Sequence, residues 1–122
     1  MNFKRWNVSN YNIQRIERDI EKYLPMIIQR ECKDELLKSI TITGCDLTHD
    51  LSFCKVYFTS LIDMDQKALE KEVNEASPFI RAKLASMMEI RNTPILKFVY
   101  DTSIEYAEKI EKTLEQIKEK EN

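Results

Sequence analysis

The sequence predicts an α+β fold with the order helix, strand, strand, helix, break, helix, strand, helix, in which a three-stranded sheet carries its helices on one face. Three observations lead there. Apolar residues recur at helical spacing in separate stretches, other stretches alternate with a period of two, and Ala76-Ser77-Pro78 interrupts the central helical pattern. A chain of 122 residues fits one domain with one core. Its 43% hydrophobic content excludes a disordered polymer, and one Gly with three Pro implies short connections between long elements. The whole chain, 1–122, is read as a single domain with flexible ends at about 1–8 and 119–122.

The first helix has Ser9 or Asn10 as its expected N-cap. Ile13, Ile16, Ile20, Leu24 and Ile27 form its apolar face, and the pattern runs to about Cys32. Pro25 lies inside and is expected to kink the helix or end its regular part. On the opposite face Arg15, Arg18, Lys22 and Lys33 form a basic stripe. Ile40 and Ile42 then alternate with Thr41 and Thr43, as in a half-buried strand, and Gly44 marks a bulge or a close backbone approach. After a polar turn at Thr48-His49-Asp50, residues 51–62 give the longest strand signal. Cys54, Val56 and Phe58 point to one face; Phe53, Lys55, Tyr57 and Thr59 point to the other. The two strands are expected to pair as a hairpin.

Asp63 or Asp65 caps the next helix, whose apolar stripe is Leu69, Val73 and Ala76. A residue before proline is pushed out of the helical region, so one helix ends near Ala76 and another starts at Pro78, with Ser77 as its N-cap. Ile80, Leu84, Met87 and Met88 form the second helix's apolar face. Arg91-Asn92-Thr93-Pro94 is a turn, residues 95–100 a short apolar strand, and Thr102 with Glu105 a capping box. The last helix would bury Ile104, Ala107, Ile110, Leu114 and Ile117, its other face being mixed Glu and Lys.

Composition narrows the function classes. Cys32, Cys45 and Cys54 are odd in number and form no C-x-x-C, so they read as reduced thiols rather than a disulfide frame or a zinc site. The N-terminus has no signal-peptide run and no stretch reaches bilayer length, which places the protein in the cytoplasm without a membrane partner. His49 is the only histidine and sits in a turn, without the glycine-flanked serine of a nucleophile elbow. One glycine also precludes the glycine-rich phosphate loops. No catalytic residues, metal site, cofactor or small-molecule substrate is therefore expected, and the chain is read as a non-enzyme and a monomer.

The net charge of −2 hides an uneven distribution. Residues 79–100 carry four Lys/Arg against one Glu, and the first helix carries its basic stripe. A local basic face binds phosphate despite an acidic total. The start of the helix at Pro78 adds free N–H groups and a positive dipole, with Arg81, Lys83 and Arg91 around it. An ordinary solvated face is the competing reading of both patches.

Several stretches together resemble the ribosome-binding factor A family. Gln29-Arg30-Glu31-Cys32-Lys33-Asp34 is similar to the end of that family's first helix, and Gly44 to Leu51 with Lys55-Val56-Tyr57 to its hairpin. Ala76-Ser77-Pro78-Phe79-Ile80-Arg81 resembles its helix kink, where this chain has Pro78 in place of the family's usual glycine. Arg91, Pro94, Leu96, Phe98, Asp101 and Ser103 match its closing strand and turn. The resemblance implies a type II KH-like domain that binds the free small ribosomal subunit through its ribosomal RNA and assists late maturation of that RNA. On this reading Ser77, Arg81, Lys83 and Arg91, with Arg15, Arg18 and Lys22 as a second patch, are the candidate RNA contacts. A protein–protein adaptor on the same fold, without RNA contact, is the alternative.

Overall fold

The structure, a computed structural model, describes residues 2–88 and 92–121. Its elements are α1 (Asn2–Glu31), α2 (Glu35–Lys38), β1 (Ile40–Leu47), β2 (Phe53–Ser60), α3 (Gln66–Glu75), α4 (Ser77–Met87), β3 (Ile95–Tyr100) and α5 (Ser103–Glu121). The sheet has the order β1-β2-β3; β1 pairs antiparallel with β2, and β2 parallel with β3. The α+β class and the helix–break–helix order are those the sequence predicts.

The inner face of the sheet carries Leu47, Cys54, Val56, Phe58, Leu96 and Phe98, all buried. Against it pack Ile20, Leu24 and Ile27 of α1, Leu69 and Val73 of α3, and Ile80 and Leu84 of α4. Phe58 stands edge-on to both Phe98 and Tyr100, at centroid distances of 6.4 and 5.6 Å. Edge-on rings place positive ring edges against negative faces, which adds to the area term. The bulge falls between Ile42 and Gly44. A Cβ at Gly44 would meet nothing within 4 Å and its φ is not positive, so the bulge is present, the close backbone approach is not, and nothing in the structure demands glycine there.

Helix side chains, rather than further strands, engage backbone groups on both edges of the sheet. On the β1 edge the N–H groups of Cys45 and Leu47 donate to Glu21 Oε1 (3.2 Å) and Glu17 Oε2 (3.0 Å). On the β3 edge Asn74 makes a two-way amide pair with Phe98: Phe98 N–H donates to Oδ1 (2.8 Å) and Nδ2 donates to Phe98 O (2.9 Å). Tyr100 N–H donates to Glu70 Oε1 (2.9 Å), and Ser77 Oγ donates to Leu96 O (2.6 Å). An open edge is a template for unwanted strand pairing, and these contacts satisfy the groups they engage.

Several local expectations are corrected. Neither Ser9 nor Asn10 is an N-cap, because α1 already begins at Asn2. Pro25 does not end α1, which runs on to Glu31. It lies on the exposed side, where water can satisfy the carbonyl one turn earlier. The strand before the hairpin turn is longer than its Ile/Thr alternation, and the strand after it is shorter than 51–62. A one-turn helix, α2, was not expected; Asp34 caps it by accepting from Leu36 N–H at 2.9 Å. Asp65, of the two candidates, caps α3. In α4, Ile80, Leu84 and Met88 are buried but Met87 is not.

The break is confirmed, though by different means. Ala76 stays in the right-handed helical region (φ −86°, ψ −5°), and Ser77 is already helical. Pro78 supplies no N–H to continue the ladder, and just before it the Ala76 N–H bonds one residue short, to Val73 O (3.1 Å), which together part α3 from α4. The mild break keeps Glu70, Asn74 and Ser77 on one face, so all three reach β3. The capping box is replaced too. Asp101 accepts from Ser103 N–H (2.9 Å), while Glu105 turns to Gln66 Nε2 (3.1 Å). The apolar face of α5 is not buried: Ile110, Leu114 and Ile117 are 42%, 57% and 48% exposed.

Candidate nucleic-acid interface

Helical geometry puts Arg15, Arg18 and Lys22 on the side of α1 opposite Ile20 and Leu24, and all three are exposed. Glu17, Asp19 and Glu21 lie among them in sequence, but two of the three are committed elsewhere. Glu17 and Glu21 face the β1 edge, where their carboxylates accept backbone N–H groups. The exposed stripe is therefore more basic than the sequence of α1 suggests. Among the described residues Arg15, Arg18 and Lys22 form no salt bridge.

The second predicted patch is more constrained. Arg81 donates from Nε and Nη2 to Thr93 O (3.2 and 2.8 Å), fastening α4 to the approach of β3. Its remaining N–H groups are not used by these bonds. Lys83 Nζ lies 3.6 Å from Glu31 Oε2 and 5.6 Å from the Phe79 ring centroid. Both charged side chains are nearly half exposed, so this pair contributes little stability. Phe79, 46% exposed, presents an aromatic ring beside that cation at the start of α4. Ser77 does not belong to an accessible contact set. It is 8% exposed, does not cap α4, and its hydroxyl is spent on Leu96 O. Arg91 lies outside the described residues.

The two patches are not one surface, but a groove between α1 and α4 links them. One end is a cleft of about 510 Å³ lined by Arg15, Asp19, Tyr23, Met87 and others. The other, of about 240 Å³, is lined by Arg30, Glu31, Lys83, Met26 and Ser86. Arg30 is the functional candidate that the sequence reading passed over. Its signal was its helical spacing from Met26, Tyr23 and Asp19, which sets it on the flank facing α4 rather than on the stripe.

The remaining reactive groups are placed unfavourably for chemistry. The Cys45 thiol is pushed upward by its bond to the Cys54 thiol and by burial, and burial raises Cys32. All three cysteines are free thiols. His49 is exposed in the hairpin turn. Beside it the Asp50 carboxyl is held at about 2 by the Thr48 hydroxyl and by the Ser52 hydroxyl and N–H. That network shapes the turn in which Leu51 takes a left-handed φ of 64°. No three His, Cys, Asp or Glu side chains among the described residues converge on a metal-sized site.

Comparison with known proteins places this architecture. The family model described as ribosome-binding factor A matches residues 12–114. The ribosome-binding factor A of Francisella tularensis subsp. novicida is 35% identical over 104 residues, covering 85% of this chain and 73% of that protein. That of Francisella philomiragia is 33% identical over the same length. In three dimensions the crystal structure of ribosome-binding factor A from Thermus thermophilus superposes with a TM-score of 0.63 at 23% identity, over 72% of this chain and 94% of that one. The solution structure of the Thermotoga maritima protein gives 0.63 at 25% identity, over 76% and 90%. The matched span runs from the first described side chains of α1 through the hairpin, the broken helix, β3 and into α5. With sequence, element order and fold in agreement, the chain belongs to the ribosome-binding factor A family.

Proposed function

We propose that this protein is a non-catalytic assembly factor that binds the free small ribosomal subunit through its ribosomal RNA and assists late maturation of that RNA, as a cytoplasmic monomer. The observation that carries this reading is the exposed cationic stripe of Arg15, Arg18 and Lys22, freed from Glu17 and Glu21 by the β1 edge. Family membership supports it. So does a Thermus ribosome-binding factor A model, fitted into a map of a 30S–RbfA complex, which superposes on this chain with a TM-score of 0.60. No helix of the described residues is long and apolar enough to cross a membrane.

The role of such a protein would be to hold one RNA conformation by binding it better than its competitors. Arg15, Arg18, Lys22, Arg30 and Lys83 would act as phosphate contacts, Phe79 as a surface on which a base can stack, and Arg81 would both hold Thr93 and offer its free N–H groups. Arg91 completes the proposed set from its place in the sequence. Pro78 carries no N–H, so a close backbone approach at the break would rest on its neighbours.

The test is sedimentation of the purified protein with free small subunits across a salt series. The wild type should co-sediment at low salt and dissociate steeply as salt rises. The charge reversals Arg15→Glu, Arg18→Glu and Lys22→Glu together should abolish co-sedimentation while circular dichroism stays unchanged. Retained binding by a folded triple variant would remove the stripe from the proposal. Unchanged association after reversal of Arg81 and Lys83 as well would favour the adaptor reading.

A further inference from the structure

The molecule has two uncovered amphipathic faces. The first belongs to α5, which is exposed along its described side chains and packs on no other element beyond its root. Tyr106, Ile110, Leu114 and Ile117 fall on one side of it, with 42–66% of each exposed. Glu111 stands at one margin of that stripe. Helices in proteins draw most of their stability from packing an amphipathic face, and that of α5 is unpacked.

The second face is the outer side of the sheet. There Phe53, Tyr57 and Val99 are half-buried, Ile95 is 52% exposed and Leu61, just past β2, is fully exposed. Lys55 and Lys97 stand side by side in the β2–β3 register, and no salt bridge among the described residues involves either. Two adjacent cations within an apolar patch call for an acidic, apolar partner.

The geometry points to α5 of the same chain as the occupant of the sheet's outer face. The link between β3 and α5 is short enough for a direct reversal, since only Asp101 and Thr102 separate them. An open cleft of about 330 Å³ already lies between the root of α5 at Glu105 and Thr41, Thr59 and Leu61 at the end of the sheet. The lengths also agree. Running back from Ser103 to Glu111 along a helix covers about 12 Å. Running back from Asp101 to Lys97 along the strand covers about 13 Å. Glu111 therefore comes level with the Lys55–Lys97 pair. By the same rises, Ile117 is about 21 Å along the helix, and Ile95 with its partner Phe53 about 20 Å along the sheet. The apolar ends of the two faces thus coincide when the charged groups do. Docking releases the exposed Glu105–Gln66 contact and leaves the Asp101 cap of Ser103 in place.

The inference is tested on the full-length chain by carbodiimide coupling, which joins a carboxylate to an amine only at ion-pair distance, with peptide mass mapping of the monomer band. Coupling of Glu111 to Lys55 or Lys97 is expected, together with at least tenfold slower amide exchange in α5 than in the Ile110→Asp, Leu114→Asp double variant. Glu111→Lys should abolish the slow exchange, and adding Lys55→Glu and Lys97→Glu should restore it. Coupling confined to the dimer band would assign the cover to a second copy and overturn the proposal. Equal exchange rates in the wild type and the double variant would overturn it as well.

Discussion

Replacing Asn74 is the most direct test of how the broken helix is held. Its amide exchanges two hydrogen bonds with the backbone of Phe98, whose side chain is fully buried, and a third with Glu70 O at 2.8 Å. Asn74→Ala leaves the Phe98 N–H and C=O without partners on a part-buried edge. A stranded buried group costs about 1–3 kcal/mol, so two partly wetted ones should cost about 3 kcal/mol together. In a domain of this size that lowers Tm by roughly 10 °C. Urea unfolding followed by circular dichroism measures it, with exposed Lys71→Ala as the control expected within about 0.5 kcal/mol of wild type. Asn74→Asp adds a signed pH test. Its ionised carboxylate would face the Phe98 carbonyl, whereas the protonated acid can donate to it. The folded-state pKa is therefore raised, and the variant should be most stable below the unfolded carboxyl value and lose stability as pH rises through the folded one. The opposite slope, or Asn74→Ala indistinguishable from the control, would refute the edge-closing role.

Other consequences are measurable in the same preparations. The Asp101 carboxyl is held below the usual range by Ser103 and by the Thr43 hydroxyl at 2.6 Å, so Thr43→Val should raise its titration midpoint in a carboxyl-detected NMR experiment. Because that folded pKa is depressed, the group's small contribution is present above the unfolded value and lost as pH falls through the folded one. Ser77→Ala should cost about 1 kcal/mol in urea unfolding and leave small-subunit association unchanged, since its hydroxyl serves Leu96. Arg81→Lys loses the two-nitrogen grip on Thr93 O and should destabilise by about 1 kcal/mol, read by the same unfolding assay.

Elements carried by repeated local patterns were legible in the sequence. The inner row Cys54, Val56 and Phe58, the strand at 95–100 and the parting of two helices around residue 76 all rest on periodicity or on proline, and all stand in the structure. Tertiary contacts overruled the local rules elsewhere. Ser77 before Pro78 has the chemistry of an N-cap, yet its hydroxyl donates to Leu96 O at 2.6 Å and makes no cap hydrogen bond. Glu105 has the spacing of a capping box but meets Gln66 instead. The roles of Glu17 and Glu21 were not legible, because nothing in the sequence tells which carboxylate will find an unpaired strand N–H. The apolar stripe of α5 is clear in sequence, but periodicity says only that a face exists, not what lies against it.

The same edge contacts explain how an acidic protein can present a basic surface. A helix beside a sheet edge has a flank that meets unpaired backbone groups and a crest that meets water. On α1 the flank needs acceptors, because the β1 groups it meets are the N–H donors of Cys45 and Leu47, and carboxylates fill that need. The crest has no such demand and carries Arg15, Arg18 and Lys22. On the far edge the requirement is mixed, donors and acceptors both, and there Asn74 and Ser77 join Glu70. These contacts cover the β3 edge and the second half of the β1 edge, while the outer face of the sheet stays open. On the readings proposed above, a polyanion and helix α5 would then meet different sides of the molecule: the first the crest of α1, the second Lys55 and Lys97.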